Sequence, residues 1–156
     1  LVNRHIDVVF FDLGNTLVTG QRKWVPGAKD AVETLGSAGV RLGVISNTGQ
    51  LTRQQVIELL PTDFDMDIFE DELIILSKEV GVEKPAAQIF GIAVDRAEVG
   101  PQSIIFCGES LSEVLAAQCI GIFGLQAAVS SDTSGTVVRS NVAQIAEQIV
   151  ALNGGN

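Results

Sequence analysis

The chain has 156 residues, 46% of them hydrophobic, and nineteen acidic side chains against ten basic ones give it a formal charge of −9 at pH 7. That length suits one domain with a substantial core, over 1–156, rather than two, and the charge repels nucleic acid and anionic lipid, since no basic patch overrides it. No apolar run approaches the ~20 residues that span a bilayer, and the first residues lack the apolar centre of a signal peptide, so the expectation is a cytoplasmic protein with no nucleic-acid and no membrane partner.

Five apolar runs read as strands, at 7–11, 41–45, 73–76, 103–107 and 121–125. Between them the apolar spacing becomes helical. A first helix opens at Pro26-Gly27, carries Ala31, Val32 and Leu35 on one face, and is stopped by Gly36 and Gly39. A second covers 52–60 and is closed by Pro61; a third has Pro85 in its first turn and runs through Ile89, Phe90 and Ala93. A fourth spans 112–119 and the last 141–152, with Asn141 as N-cap. Strands alternating with helices predict an α/β fold, a doubly wound, mostly parallel sheet covered on both faces. Residues 130–135 read as a polar loop, and Cys107 and Cys119 as reduced core residues without metal-ligand spacing.

Asp63, Asp65, Asp67, Glu70, Asp71 and Glu72 form an acidic cluster. A calcium loop needs Gly after its third aspartate and Glu near its end, where this chain has Ile68 and Ile74, so a solvated turn is expected instead.

Three strand ends carry polar tips: Asp12 after Phe11, Ser46-Asn47-Thr48 after Ile45, and Gly108-Glu109-Ser110 after Cys107. In a parallel sheet these tips converge on the carboxyl edge, where open α/β folds bind ligands. Lys84, before Pro85, brings a cation to the same edge. Two carboxylates, a hydroxyl and an ammonium, with room for an oxygen-seeking divalent metal, make a site for a phosphoryl group. Plainer readings exist for each residue. Asp12 is then a strand-to-loop junction, Ser46 a turn cap, Lys84 a surface lysine, and Glu113 an exposed acid in the first turn of its helix, where negative charge suits the dipole.

The order of these tips is recognisable. Asp-Leu-Gly-Asn-Thr-Leu-Val at 12–18, Val-Ile-Ser-Asn-Thr at 44–48, Val-Gly-Val-Glu-Lys-Pro-Ala-Ala-Gln-Ile-Phe at 80–90 and Ile-Phe-Cys-Gly-Glu-Ser-Leu-Ser-Glu-Val-Leu-Ala-Ala at 105–117 resemble, in order and spacing, the four motifs of the haloacid dehalogenase-like hydrolase superfamily. The likeness covers about 7–125 and implies a Rossmann-like core. It implies that Asp12 is a nucleophile that forms an aspartyl-phosphate, that Ser46 hydrogen-bonds the transferring group, and that Lys84 neutralises its charge. It further implies Mg²⁺ held by Asp12, the Gly14 carbonyl, Glu109 and Glu113. Asn47, and with it Thr48 and Ser110, is placed either on the phosphate or on loop backbone groups.

The departures from the pattern matter as much. Phosphatases of the family usually carry an aspartate where this chain has Gly14; it protonates the leaving group, and losing a positioned acid costs typically ~10²- to 10⁴-fold. Hydrolysis of alkyl phosphates is therefore expected to be slow. Glu109 stands where Asp is commoner. Residues 13–45 and 47–83 leave no room for an inserted cap domain, so the crevice is expected to be open. Capless members tend to take large substrates or to borrow a lid from a second subunit, which makes a macromolecular substrate or a homo-oligomer an expectation. The flap segment Thr19-Gly20-Gln21-Arg22-Lys23-Trp24 offers a local positive spot, with Trp24 either covering the sheet edge or stacking on a substrate ring. His5 is assigned no role.

Two functions follow from the sequence. One is a Mg²⁺-dependent phosphatase acting on a small or macromolecular phosphate ester. The other is a catalytically weak domain that binds a phosphorylated ligand or a protein partner. A receiver domain is disfavoured because the prominent aspartate follows the first strand rather than the third. A dinucleotide site is disfavoured because no Gly-x-Gly-x-x-Gly turn follows that strand.

Overall fold

The computed structural model describes residues 4–154. Five strands, β1 (Val8–Phe11), β2 (Arg41–Ser46), β3 (Ile74–Leu76), β4 (Ile104–Gly108) and β5 (Phe123–Gln126), make one parallel sheet in the order β3-β2-β1-β4-β5. An antiparallel pair, β6 (Val129–Ser131) and β7 (Val137–Ser140), stands beside it. The helices are α1 (Ala28–Ser37), α2 (Arg53–Glu58), α3 (Ser77–Val80), α4 (Ala87–Ala97), α5 (Leu111–Cys119) and α6 (Val142–Leu152).

β1 is the central strand, with Val8 opposite Arg41 and Ile104, and Phe11 opposite Val44 and Cys107. A parallel strand in this position is covered on both faces, which is why all four of its residues are apolar and buried without alternation. Val9 and Phe11 pack into the layer of α1 and α6; Val8 and Phe10 pack into that of α4 and α5. Phe10 and Phe106 are fully buried, and truncating either to Ala costs about 3–5 kcal/mol. From β1 the chain builds β2 and β3 on one side, then crosses to β4 and β5 on the other. The carboxyl end of β1 is therefore the point where the connections diverge and leave a crevice. Neither the connection from β1 to β2 nor that from β2 to β3 holds a separate cap domain.

Several local expectations are corrected. Gly36 does not stop α1, which continues through Ser37; the chain turns at Gly39, whose φ of 82° lies in the left-handed region. Pro85 is not in the first turn of α4, which begins at Ala87; it follows a cis peptide bond from Lys84. Asn141 precedes α6 but does not cap it by side chain: its Oδ1 accepts from the Ala128 N–H at 2.8 Å, tying α6 to the end of β5. The polar stretch 130–135 is not all loop: Ser130 and Ser131 belong to β6, and the rest is the turn to β7, closed by Asp132 Oδ1, which accepts from the backbone N–H groups of Ser134 and Thr136 at 2.9 and 3.0 Å. Cys107 is buried in β4, but Cys119 is exposed at the end of α5 and is not a core residue.

The acidic segment is more than a solvated turn. Asp63 accepts from Trp24 Nε1 at 2.9 Å and Lys29 Nζ at 3.0 Å, Glu70 pairs with Arg41, and Asp71 with Arg53. Trp24 stacks on Phe64, its ring centroid 4.7 Å away, and Phe64 stacks on Phe69. Trp24 thus pins the flap to the β2–β3 connection. Among the described residues no helix is long and apolar enough to cross a membrane.

Candidate active site

Asp12 is the first residue beyond β1, and its N–H donates to the Cys107 carbonyl at 3.0 Å, continuing the β1–β4 ladder by one bond. The strand thereby fixes the carboxylate at the crevice. Gly108, opposite, permits the approach: a Cβ there would lie 2.9 Å from the Phe106 ring and 3.5 Å from the Asp12 Cβ. Asp12 Oδ1 accepts from the Leu13 N–H at 2.8 Å and from Lys84 Nζ at 2.9 Å. Among the described residues no donor bonds Oδ2.

Lys84 is no surface lysine. Its side chain is 1% exposed, and Nζ lies 2.9 Å from Asp12 Oδ1, 2.7 Å from Glu113 Oε1 and 5.3 Å from the centroid of Phe106. Glu113 is correspondingly no solvated first-turn residue; α5 carries it to the lysine and its side chain is 15% exposed. Burial raises the Asp12 carboxyl above its ordinary 3.8, the charge and hydrogen bond of Lys84 oppose this, and the charge of Glu113 adds to it. Cys107, next to this cluster, has its thiol pushed up to about 12 by burial, with the charge of Asp12 a smaller cause.

Asn47 holds the lysine in place. Its Oδ1 accepts from the Lys84 N–H at 2.8 Å and its Nδ2 donates to the Lys84 carbonyl at 2.9 Å, so the amide expected on phosphate clamps backbone and retains one N–H for a ligand. Thr48 is likewise structural: its N–H donates to Ser77 Oγ at 2.8 Å and its hydroxyl accepts from the Lys78 N–H at 3.3 Å, joining the end of β2 to α3. Sequence reasoning missed Ser77; a serine opening a one-turn helix carries no distinguishing signal. Ser46 ends β2, buried, and lines a pocket of about 220 Å³ together with Leu13, Gly14, Val18 and, in and around α2, Leu51, Val56, Leu59 and Leu60. Glu109 follows Gly108 at the mouth, partly exposed, its carbonyl accepting from Gln126 Nε2 at 2.9 Å. The Ser110 hydroxyl lies 3.0 Å from that of Ser112, and the Ser110 carbonyl accepts from the Val114 N–H at 3.0 Å at the start of α5.

The carboxylates of Asp12, Glu109 and Glu113 and the Gly14 carbonyl are oxygen donors, the ligand chemistry of a hard divalent cation. Among the described residues no three acidic, His or Cys side chains stand in a ligand cluster. Mg²⁺ does not require one, since it is commonly held by one or two carboxylates, water and substrate phosphate.

A family model described as haloacid dehalogenase-like hydrolase matches residues 4–127. Glyceraldehyde 3-phosphate phosphatase of Pyrococcus abyssi is 32% identical over 99 residues, 63% of this chain and 40% of that protein. (S)-2-haloacid dehalogenase of Pseudomonas putida is 32% identical over 92 residues, 59% of this chain and 38% of that one. The chain spans less than half the length of the curated relatives it matches. Among solved structures, a HAD-family enzyme of Bacteroides thetaiotaomicron, in complex with magnesium and inorganic phosphate, superposes with a TM-score of 0.64 at 16% identity, over 83% of this chain and 98% of that one. The parallel sheet with Asp12 at its switch point, the buried lysine facing it and the match over 4–127 agree, and the chain belongs to the haloacid dehalogenase-like hydrolase family.

Proposed function

We propose that this chain hydrolyses phosphate monoesters by way of a phosphoryl group carried on Asp12, with Mg²⁺ as cofactor. The observation that carries the reading is the buried Lys84, set between Asp12 and Glu113 at the carboxyl edge of the central strand. A desolvated ammonium 2.9 Å from Asp12 and 2.7 Å from Glu113 has two of its three N–H donors engaged and keeps a third for an oxygen of another group.

Asp12 attacks phosphorus in line and the bond to the leaving oxygen breaks; water then attacks phosphorus, the bond to Asp12 breaks, and phosphate leaves. Lys84 holds charge on the transferring group, Ser46 offers a hydroxyl to one of its oxygens, and Asn47 keeps Lys84 at its post. Two carboxylates, Asp12 and Glu113, share one lysine here, so a phosphate dianion enters against net negative charge unless a cation offsets it. Asp12, Glu109 and the Gly14 carbonyl would hold Mg²⁺, which supplies that charge when bound, while Glu113 stays on Lys84. The phosphatase relative and the magnesium and phosphate in the structural neighbour support this reading.

The second reading, a domain that binds a phosphorylated ligand or partner with little turnover, is favoured by one observation: no ionisable side chain lines the pocket beyond Gly14. Hydrolysis of p-nitrophenyl phosphate separates the two. Mg²⁺-dependent turnover that disappears in Asp12→Asn, with folding retained by circular dichroism, is the expected result. Phosphate binding without turnover would establish the second reading instead.

A further inference from the structure

The pocket between the flap and α2 has a composition that the phosphoryl site does not explain. Its walls are Leu13, Gly14, Val18, Thr19 and Gly20 from the flap side, Ser46, Asn47 and Thr48 from the end of β2, and four apolar residues beyond: Leu51, Val56, Leu59 and Leu60. It shares Gly14, Ser46 and Asn47 with the candidate active site, and Leu13 beside Asp12 is one of its walls. None of its walls is acidic, basic, His, Cys or Tyr. Leu51 and Leu59, at 38% and 53% exposed, keep apolar surface in contact with solvent at its mouth. Its volume of about 220 Å³ exceeds the ~150 Å³ of an apolar cavity that accepts benzene and falls below the ~300 Å³ at which drug-sized sites begin.

Resting on the phosphatase reading, we propose that this pocket is the leaving-group subsite and that it selects phosphoryl donors whose leaving group has an apolar body and departs unprotonated, aryl and acyl phosphates in chemical class. An alkoxide is too basic to leave without a proton, and no wall of the pocket has a proton to give at neutral pH. A phenolate or carboxylate needs none: as Asp12 bonds to phosphorus, the electron pair of the breaking phosphorus–oxygen bond goes to the leaving oxygen, which departs as an anion. The apolar walls then favour the ring or acyl chain attached to that oxygen, at about 25 cal/mol per Å² buried. Polyols and sugars, which would bury hydroxyls without partners there, are disfavoured.

The test is kcat/KM of the full chain with Mg²⁺ on acetyl, p-nitrophenyl, phenyl, 2-naphthyl and ethyl phosphate, repeated with Gly14→Asp and Leu59→Asp. The expected fall from p-nitrophenyl to ethyl phosphate is at least about 100-fold, and Gly14→Asp should flatten it by supplying the acid. Leu59→Asp, at an exposed position that tolerates charge, should raise KM about tenfold for 2-naphthyl phosphate and by a smaller factor for acetyl phosphate, whose apolar body is smaller. Ethyl phosphate turned over within about tenfold of p-nitrophenyl phosphate would overturn the selection while leaving the phosphatase intact, as would equal effects of Leu59→Asp on both esters. No turnover of any of the five would overturn the phosphatase reading and this inference with it.

Discussion

Two regions of the molecule gather carboxylates, and they differ in what surrounds the charge. At the end of β1, Asp12 and Glu113, each 15% exposed, share one lysine that is 1% exposed. Along the β2–β3 connection, Asp63, Glu70 and Asp71 are 53, 45 and 89% exposed and pair with Lys29, Arg41 and Arg53. The sequence makes the second region look the richer in acid, yet water screens each of its pairs, and such pairs contribute at most about 1 kcal/mol. In the first region two charges compete for one cation out of water. Removing a member leaves a charge unmatched, and binding a ligand redistributes the field. Burial and sharing, more than the count of acids, mark the site.

This contrast is easiest to break at Lys84. Lys84→Met leaves two buried carboxylates facing each other, and a urea titration should show a loss of about 3 kcal/mol in stability together with a loss of at least about 10³-fold in kcat/KM. Asn47→Ala removes the clamp on the lysine backbone and spares all three charged groups. A shift in Lys84 of an ångström or less should lower kcat by about ten- to a hundredfold, with stability changed by about 1–2 kcal/mol. Lys29→Ala removes an exposed pair to Asp63 and should cost about 1 kcal/mol or less, with kcat/KM unchanged within about twofold.

The thiols sharpen the same comparison without mutation. With its thiol pushed up to about 12, Cys107 stays protonated as pH rises through 8, whereas exposed Cys119 is open to reagent. A disulfide reagent at pH 8 should modify one thiol per native chain and two after denaturation. Fast modification of both in the native protein would mean that the core beside Asp12 is open.

How much of this was legible in the sequence depends on scale. The order of strands and helices could be read because each apolar run of the sheet is bounded by turn residues, and β1 through β5 fall within one or two residues of their expected places. The hairpin could not: β6 and β7 are only three and four residues long, three of the seven are Ser, and Val129 and Val137 pack on the core from positions with no periodicity long enough to register. In the site, Asp12, Ser46, Lys84 and Glu109 were recognisable from motif order. The engagement of Glu113 with Lys84, the clamp of Asn47 and the support of Ser77 behind Thr48 are contacts between segments far apart in the chain. Only the crossing that returns Lys84 to the end of β1 brings them together. Trp24 shows the same limit, since its partner Asp63 lies in a separate connection.

The central claim is that Asp12 carries the phosphoryl group, and trapping that group tests it most directly. The protein would be mixed with Mg²⁺ and p-nitrophenyl phosphate, quenched in acid during turnover, digested, and its peptides weighed. The account predicts a phosphoryl adduct on the peptide that contains Asp12, stable in acid, removed by hydroxylamine and absent from Asp12→Asn. Turnover that proceeds with the adduct on another residue, or at full rate in Asp12→Asn, would contradict it.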